Sequence, residues 1–245
     1  MTSLHWINPD APPDDFPDVS LATRDPDGLL AIGGDLGMDR LLHAYRRGIF
    51  PWFNTGQPIL WWSPDPRTIL YPRDFRMRRS LARRVRQANL EISMDKAFVE
   101  VIKACAAPRN NDGNADTWIS DDMVTAYSEL HQNGWAHSVE VWLNGRLAGG
   151  LYGVAMGAVF FGESMFTLER DASKIALLAL CRQLQAWNFQ VIDCQIASAH
   201  LFSLGAKEIS REQFVEHLDA MTGGRGKPGH WKYELGRQQL LTPLP

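Results

Sequence analysis

Glu163, Asp193 and Gln195 are the polar residues whose setting could support chemistry. They fall in two stretches, Ala158-Val-Phe-Phe-Gly-Glu-Ser-Met-Phe166 and Gln190-Val-Ile-Asp-Cys-Gln195, whose β-branched and aromatic content reads as strand. Side chains alternate faces along a strand, so Asp193 and Gln195 share a face with Val191, while Ile192, Cys194 and Ile196 take the other. By the same count Phe161, Glu163 and Met165 lie together, opposite Phe160, Gly162 and Ser164. If the strands are neighbours, Glu163, Asp193 and Gln195 converge beside an apolar pocket. Such a site could bind a cation or amine together with an oily side chain. A solvated sheet face with scattered polar residues accounts for the same alternation.

Two other clusters carry chemical potential. Arg73-Asp-Phe-Arg-Met-Arg-Arg-Ser-Leu-Ala-Arg-Arg-Val-Arg86 holds seven arginines and one acid, in a chain whose net charge is -3. Arg76, Arg79, Arg83 and Arg86 are spaced to form one stripe on a helix, with Leu81, Val85 and Ala88 turned elsewhere. Arginine in such density suits phosphate oxygens, and the expected partner is RNA; the alternative is a solvated helix face. Five aromatics, Phe50, Trp52, Phe53, Trp61 and Trp62, fall within thirteen residues. Most are expected to pack parts of the chain together. At least one is expected to offer its face to a nucleobase, a contact that contributes roughly 1 to 3 kcal/mol.

The elements that position these residues follow from local signals. Ser138-Val-Glu-Val-Trp-Leu143 is a strand, and Asn144-Gly145 turns it back into a second one over Leu147 to Val154. Met156-Gly157 turns again into the strand bearing Glu163, giving an antiparallel meander. Asp171 or Ser173 caps a helix to about Trp187, apolar on most of its circumference. Flanking helices run from about Asp95 to Ala106, from a Ser120 cap to Asn133, and from a Ser210/Gln213 capping box to Met221, with an Asn/Asp/Gly loop over Asn110 to Asp116. The tail from Thr222, rich in Gly, Pro and Lys, is expected to lie on the surface or move. Upstream, glycine and proline keep the elements short: Gly28-Leu-Leu-Ala-Ile-Gly-Gly-Asp35, a helix over Asp39 to Arg47, then Ile49-Phe-Pro-Trp-Phe53 and Ile59-Leu-Trp-Trp-Ser-Pro-Asp-Pro-Arg67.

With 245 residues, 45% hydrophobic and 22% charged, the chain can build a sizeable core. No run is long and apolar enough to span a membrane and the first residues are polar and proline-rich, so the expectation is a cytoplasmic protein. Cys105, Cys181 and Cys194 lack metal or disulfide spacing and read as reduced thiols, and neither a metal nor a cofactor is indicated.

A meander, a helix and a further strand follow the order of a GCN5-related acyltransferase fold. The expected class is therefore α+β: a small N-terminal α/β domain, residues 1–66, and a GCN5-related acyltransferase-like domain, residues 67–245. The segment that would hold acyl-CoA pyrophosphate, Phe166-Thr-Leu-Glu-Arg-Asp-Ala-Ser-Lys174, lacks the glycines for a phosphate cradle, which weakens an acyl-CoA-dependent N-acyltransferase as the alternative function.

The sequence also resembles one family closely, the bacterial leucyl/phenylalanyl-tRNA-protein transferases. The matching strings are Asp27-Gly-Leu-Leu-Ala-Ile-Gly-Gly-Asp35, Tyr45-Arg-Arg-Gly-Ile-Phe-Pro-Trp-Phe53, Trp61-Trp-Ser-Pro-Asp-Pro-Arg67, Gly149-Gly-Leu-Tyr-Gly-Val154, Phe161-Gly-Glu-Ser-Met-Phe166, Ala172-Ser-Lys174, Ile192-Asp-Cys-Gln195 and Ser203-Leu-Gly-Ala206. The resemblance implies an enzyme that moves Leu or Phe, and Met less well, from aminoacyl-tRNA to the N-terminal α-amine of proteins starting with Arg or Lys, marking them for degradation. It implies that Trp52 stacks on the terminal adenosine with Tyr45 nearby. Leu151, Phe160, Met165, Leu177, Leu180 and Ile192 would form the amino-acid pocket, Tyr127 would line the polar centre, and Arg76, Arg79, Arg83, Arg84 and Arg86 would touch the tRNA stem. An ester is already activated, so an amine can displace the ribose oxygen with no covalent enzyme intermediate, in keeping with the lack of a nucleophile signature. On this reading Asp193, directly or through Gln195, orients the amine and helps draw off its proton, while Glu163 holds the aminoacyl end or the cationic acceptor. The protein would act as a monomer.

Overall fold

The computed structural model describes residues 4–87, 89–107, 119–223 and 226–242. The Asn110 to Asp116 loop and Ala88 lie outside the described residues. The chain runs β1 (His5–Ile7), β2 (Leu29–Gly33), α1 (Met38–Arg46), β3 (Phe50–Pro51), β4 (Leu60–Trp62), β5 (Arg67–Leu70), α2 (Arg79–Val85), β6 (Leu90–Met94), α3 (Phe98–Ala106) and α4 (Asp121–Gln132). It continues through β7 (Ala136–Leu143), β8 (Arg146–Met156), β9 (Val159–Thr167), α5 (Ala172–Ala186), β10 (Val191–Gln195), α6 (Ala199–Ser203), β11 (Lys207–Ile209), α7 (Arg211–Met221) and α8 (Arg237–Leu241). A four-stranded sheet is ordered β1-β2-β4-β3, and a seven-stranded sheet β11-β5-β10-β9-β8-β7-β6. The class is α+β, and the expected meander is present as β7, β8 and β9.

The local signals act where they were expected. Asn144 and Gly145 both adopt positive φ, 52° and 72°, the geometry of a two-residue turn whose twist matches the strands it joins. Ser120 caps α4 by accepting from the Met123 N–H, and Ser210 and Gln213 form their reciprocal box on α7. Helix α5 packs on β7, β8 and β9 with one side, and against α2, α8 and the turn Pro72–Asp74 with the other. That double packing is why most of its circumference is apolar. The opposite face of the large sheet is covered by α3 and α4 through Val101, Ile102, Met123, Tyr127 and Leu130, and α1 joins the same core through Leu41 and Tyr45.

Two expectations need correction. The arginine run is not one helix: α2 begins at Arg79, Arg78 is extended, and Arg86 closes it. Phe75 is buried upstream and the Arg76 N–H donates to the Leu204 carbonyl at 2.8 Å, so Arg76 belongs to an extended segment and not to a helical stripe. The tail, in turn, is anchored. Trp231 is 1% exposed, stacks on His137 at 3.8 Å and donates its backbone N–H to Asp95 Oδ2 at 2.6 Å. Glycine and proline density keeps regular structure there short, with α8 as its helix, but carries no information about a distant aromatic socket.

Among the described residues no helix is long and apolar enough to cross a membrane.

Candidate active site

Strands β9 and β10 lie side by side in parallel, with Val191 opposite Val159, Ile192 opposite Phe160 and Asp193 opposite Phe161. Glu163 and Gln195 stand just past the end of that register, and each strand is irregular there. Against β8, Gly162 pairs with Gly153 and Ser164 with Tyr152, which leaves Glu163 as the extra residue of a bulge. A Cβ at Gly153 would sit 2.1 Å from the Phe161 carbonyl oxygen, so only glycine lets β8 close on the bulged strand. Against β5, Asp193 pairs with Ile69 and Gln195 with Thr68, which leaves Cys194 extra and Gln195 at a φ of 62°.

These bulges overturn the expected faces. Met165 faces the same cavity as Phe160, and Gln195 the same cavity as Ile192 and Cys194, while Asp193 points away from it. Glu163 and Gln195 do meet: Gln195 Nε2 donates to Glu163 Oε1 at 3.1 Å. Tyr45 from α1 donates to the same oxygen at 2.7 Å and Tyr127 from α4 to Oε2 at 3.0 Å, with the two hydroxyls also in contact. Burial pushes the Glu163 carboxyl up from its ordinary 4.5 to about 7, against the opposing pull of the tyrosine hydrogen bonds. Burial, then the Glu163 charge, raises both tyrosines well above their usual value, so both remain hydrogen-bond donors.

Asp193 is elsewhere engaged. It is fully buried, and its two oxygens accept from Arg67 Nε at 2.8 Å and Nη2 at 2.6 Å. The Arg67 guanidinium lies between the rings of Phe50 and Phe214, 4.8 and 4.7 Å from their centroids, and its Nη1 donates to the Gly48 carbonyl. Asp193 therefore cannot take a proton from a substrate directly. Its link to the site is the Gln195 backbone N–H, which donates to Asp193 Oδ1 at 2.9 Å and holds the left-handed turn that aims Gln195 at Glu163.

Two cavities, each of about 230 Å³, meet at Glu163, Cys194 and Gln195. The first is apolar and lined by the residues expected of it, Leu151, Phe160, Met165, Leu177, Leu180 and Ile192. The second is bounded by Phe50, Pro51, Trp52 and Ile196, and Trp52 is 40% exposed beside Trp62. Tyr45 offers no ring face, being wholly buried. Arg79, Arg83 and Arg86 are exposed and Arg84 is half-buried, away from the Glu163 centre.

Arg67 escaped the sequence reading. Its signal, an arginine opening the strand Arg67-Thr-Ile-Leu70, does not name a partner 126 positions away. Nor did spacing foretell that Asp95, His131 and His230 bring ligand atoms within 4.8 Å of one another. There Asp95 already accepts from the Ser138 and Trp231 N–H groups and contacts His137 Nδ1 at 2.8 Å, which ties the tail to the sheet.

A family model described as leucyl/phenylalanyl-tRNA protein transferase matches residues 69–219, and one described as the N-terminal domain of that protein matches residues 34–65. The leucyl/phenylalanyl-tRNA–protein transferase of Nitrosomonas europaea is 53% identical over 220 residues, 90% of this chain and 92% of that one. The protein of the same name from Thiobacillus denitrificans is 54% identical over 219 residues, 89% of this chain and 95% of that one. Among solved structures, a GCN5-related N-acetyltransferase from Kribbella flavida aligns at 12% identity and a TM-score of 0.36, covering 70% of this chain and 59% of that one.

Proposed function

We propose, for a chain that belongs to the leucyl/phenylalanyl-tRNA protein transferase family and is an aminoacyltransferase, that it moves Leu or Phe from aminoacyl-tRNA to the N-terminal α-amine of proteins beginning with Arg or Lys. The observation that carries this reading is the Glu163–Gln195 pair standing where two cavities join. At about 230 Å³ the apolar cavity is smaller than the roughly 300 to 1,000 Å³ of a drug-sized ligand site, which favours a single amino-acid side chain. Its Leu, Met, Ile and Phe walls accept Leu, Phe or Met with differences of only about 1 to 3 kcal/mol. The second cavity, beside the Trp52 ring, takes the terminal adenosine. In this reading residues 1–66 bring Trp52 and Tyr45 to a catalytic unit of residues 67–245, and the protein works as a cytoplasmic monomer that marks its acceptors for degradation.

The ester carbonyl lies between the cavities. The α-amine, with an unperturbed pKa near 8, approaches with a useful neutral fraction. Gln195 gives its N–H to Glu163, which leaves its carbonyl oxygen to accept an N–H of the amine and align the lone pair on the ester carbon. The nitrogen–carbon bond forms and the carbon–ribose oxygen bond breaks. Glu163 takes the proton from the attacking nitrogen, passes it to the departing ribose oxygen and ends the cycle as a carboxylate. Asp193, held by Arg67, positions Gln195. The Glu163 carboxylate also attracts the cationic side chain of the acceptor.

The test is transfer of labelled Leu from Leu-tRNA to a protein with N-terminal Arg, beside an N-terminal Ala version and an acetyl-CoA control. Label on the Arg protein alone is expected; tRNA binding without transfer would overturn the reading. In the same assay Trp52→Ala is expected to raise the donor KM by about 5- to 150-fold, the equivalent of roughly 1 to 3 kcal/mol of lost stacking, with little change in the acceptor KM.

A further inference from the structure

A third cavity, of about 70 Å³, is lined by Arg76, Arg78, Ser80, Lys174, His200 and Ser203. It draws on the same two helices as the apolar cavity, through different residues. Lys174 precedes Leu177 by three positions on α5 and His200 adjoins Leu201 on α6, and both leucines face the apolar cavity. Three helical residues rise about 4.5 Å, so the cationic groups stand roughly one turn from the proposed amino-acid pocket.

Arg76, Arg78 and Lys174 outnumber the one carboxylate that lines the cavity, Asp171. Lys174 Nζ bonds Asp171 Oδ1 at 2.7 Å, which orients the lysine, and Arg170 lies 3.7 Å from the same carboxylate. Among the described residues Arg76 and Arg78 make no ion pair with a carboxylate. The hydrogen bond from the Arg76 N–H to the Leu204 carbonyl fixes that segment against α6. Burial and Lys174 lower the His200 pKa, so its imidazole is a neutral donor at pH 7. Arginine, lysine, imidazole and the Ser80 hydroxyl are all groups that donate to a phosphate oxygen, while the Ser203 hydroxyl donates to the His200 carbonyl and holds that turn.

We propose that this pocket grips a phosphodiester of the donor's single-stranded 3′ end, immediately before the terminal adenosine, with Lys174 and Arg78 as its charged contacts. The inference rests on the aminoacyl-tRNA reading above and adds a subsite to it. Adenosine on Trp52, side chain in the apolar cavity and phosphate at Lys174 fix the ester at three points. The exposed arginines of α2, which begins directly after Arg78, then continue the track.

A ladder of donors tests it: leucyl-adenosine, which has no internucleotide phosphate, leucyl-CpCpA, and Leu-tRNA, each with the same N-terminal Arg acceptor. For Lys174→Ala and for Arg78→Ala, the ratio of kcat/KM with leucyl-CpCpA to that with leucyl-adenosine is expected to fall about tenfold, the scale of one charge-assisted hydrogen bond. The slope of log kcat/KM for leucyl-CpCpA against log salt should shrink by about 0.7 per phosphate contact removed. A ratio equal to that of the unaltered protein would overturn the subsite and leave the proposed function standing. Equal losses on leucyl-adenosine and leucyl-CpCpA would also overturn it, because they would mean that these residues only support α5 and the apolar cavity. An unaltered protein that used none of the three donors would overturn the proposed function itself.

Discussion

Glu163→Gln is expected to lower kcat/KM for aminoacyl transfer by about 100-fold or more while making the folded chain more stable at alkaline pH. The first effect follows from geometry. Glutamine fills the same volume and can still accept from Tyr45 and Gln195, so the site keeps its shape, yet it has no charge for the cationic acceptor and cannot take the amine's proton. Positioned acid–base groups contribute roughly 100- to 10,000-fold, which sets the scale. The second effect follows from linkage. Because folding raises the Glu163 pKa from 4.5 to about 7, the native state holds its proton more tightly than the unfolded chain. The native state suffers no penalty below pH 4.5, where both forms are protonated. As the pH rises through 7 it accumulates about 3 kcal/mol of ionisation penalty. Glutamine removes that penalty. Urea midpoints of the two proteins should therefore coincide near pH 4 and separate at pH 8, with the variant higher. The rising limb of the unaltered enzyme's rate near pH 7 should disappear in the variant. Equal midpoints at pH 8 would mean that the carboxylate is solvated and unfit for this role.

What could be read from the sequence was local. The Asn144-Gly145 turn, the Ser120 cap and the Ser210/Gln213 box each act within four residues, and each is where it was expected. The six apolar cavity residues, named through the family resemblance, also line one space. The alternation of faces failed at Glu163 and Gln195 because a bulge depends on how a strand meets its neighbour, and neither strand carries the register of β8 or β5 in its own composition. The departures from alternation sit at the polar centre, where re-aiming a side chain is what brings carboxylate and amide together. Trp231 makes the same point from the other end of the chain: its socket of His137, Phe160, Trp187 and Phe189 is assembled from three separate segments, and nothing in a Gly- and Pro-rich tail announces it.

Arg67 is the non-local partner with the most at stake. Removing it by Arg67→Met should destabilise the fold by about 3 to 5 kcal/mol, since Asp193 would remain buried with no countercharge. The double variant Arg67→Met/Asp193→Leu should recover most of that stability, because exchanging a buried ion pair for apolar groups is often neutral or better. Activity should not recover with it. Without the Asp193 oxygen the Gln195 N–H loses its acceptor, and a residue at a φ of 62° has little else to hold it there. Urea unfolding and donor-saturated turnover on the single and double variants separate the two contributions. Restored stability with turnover still depressed at least tenfold, and with an unchanged donor KM, would assign the ion pair to positioning Gln195. Turnover that returned together with stability would confine Arg67 and Asp193 to holding the fold, and would leave alignment of the amine to Glu163 and the bound ester.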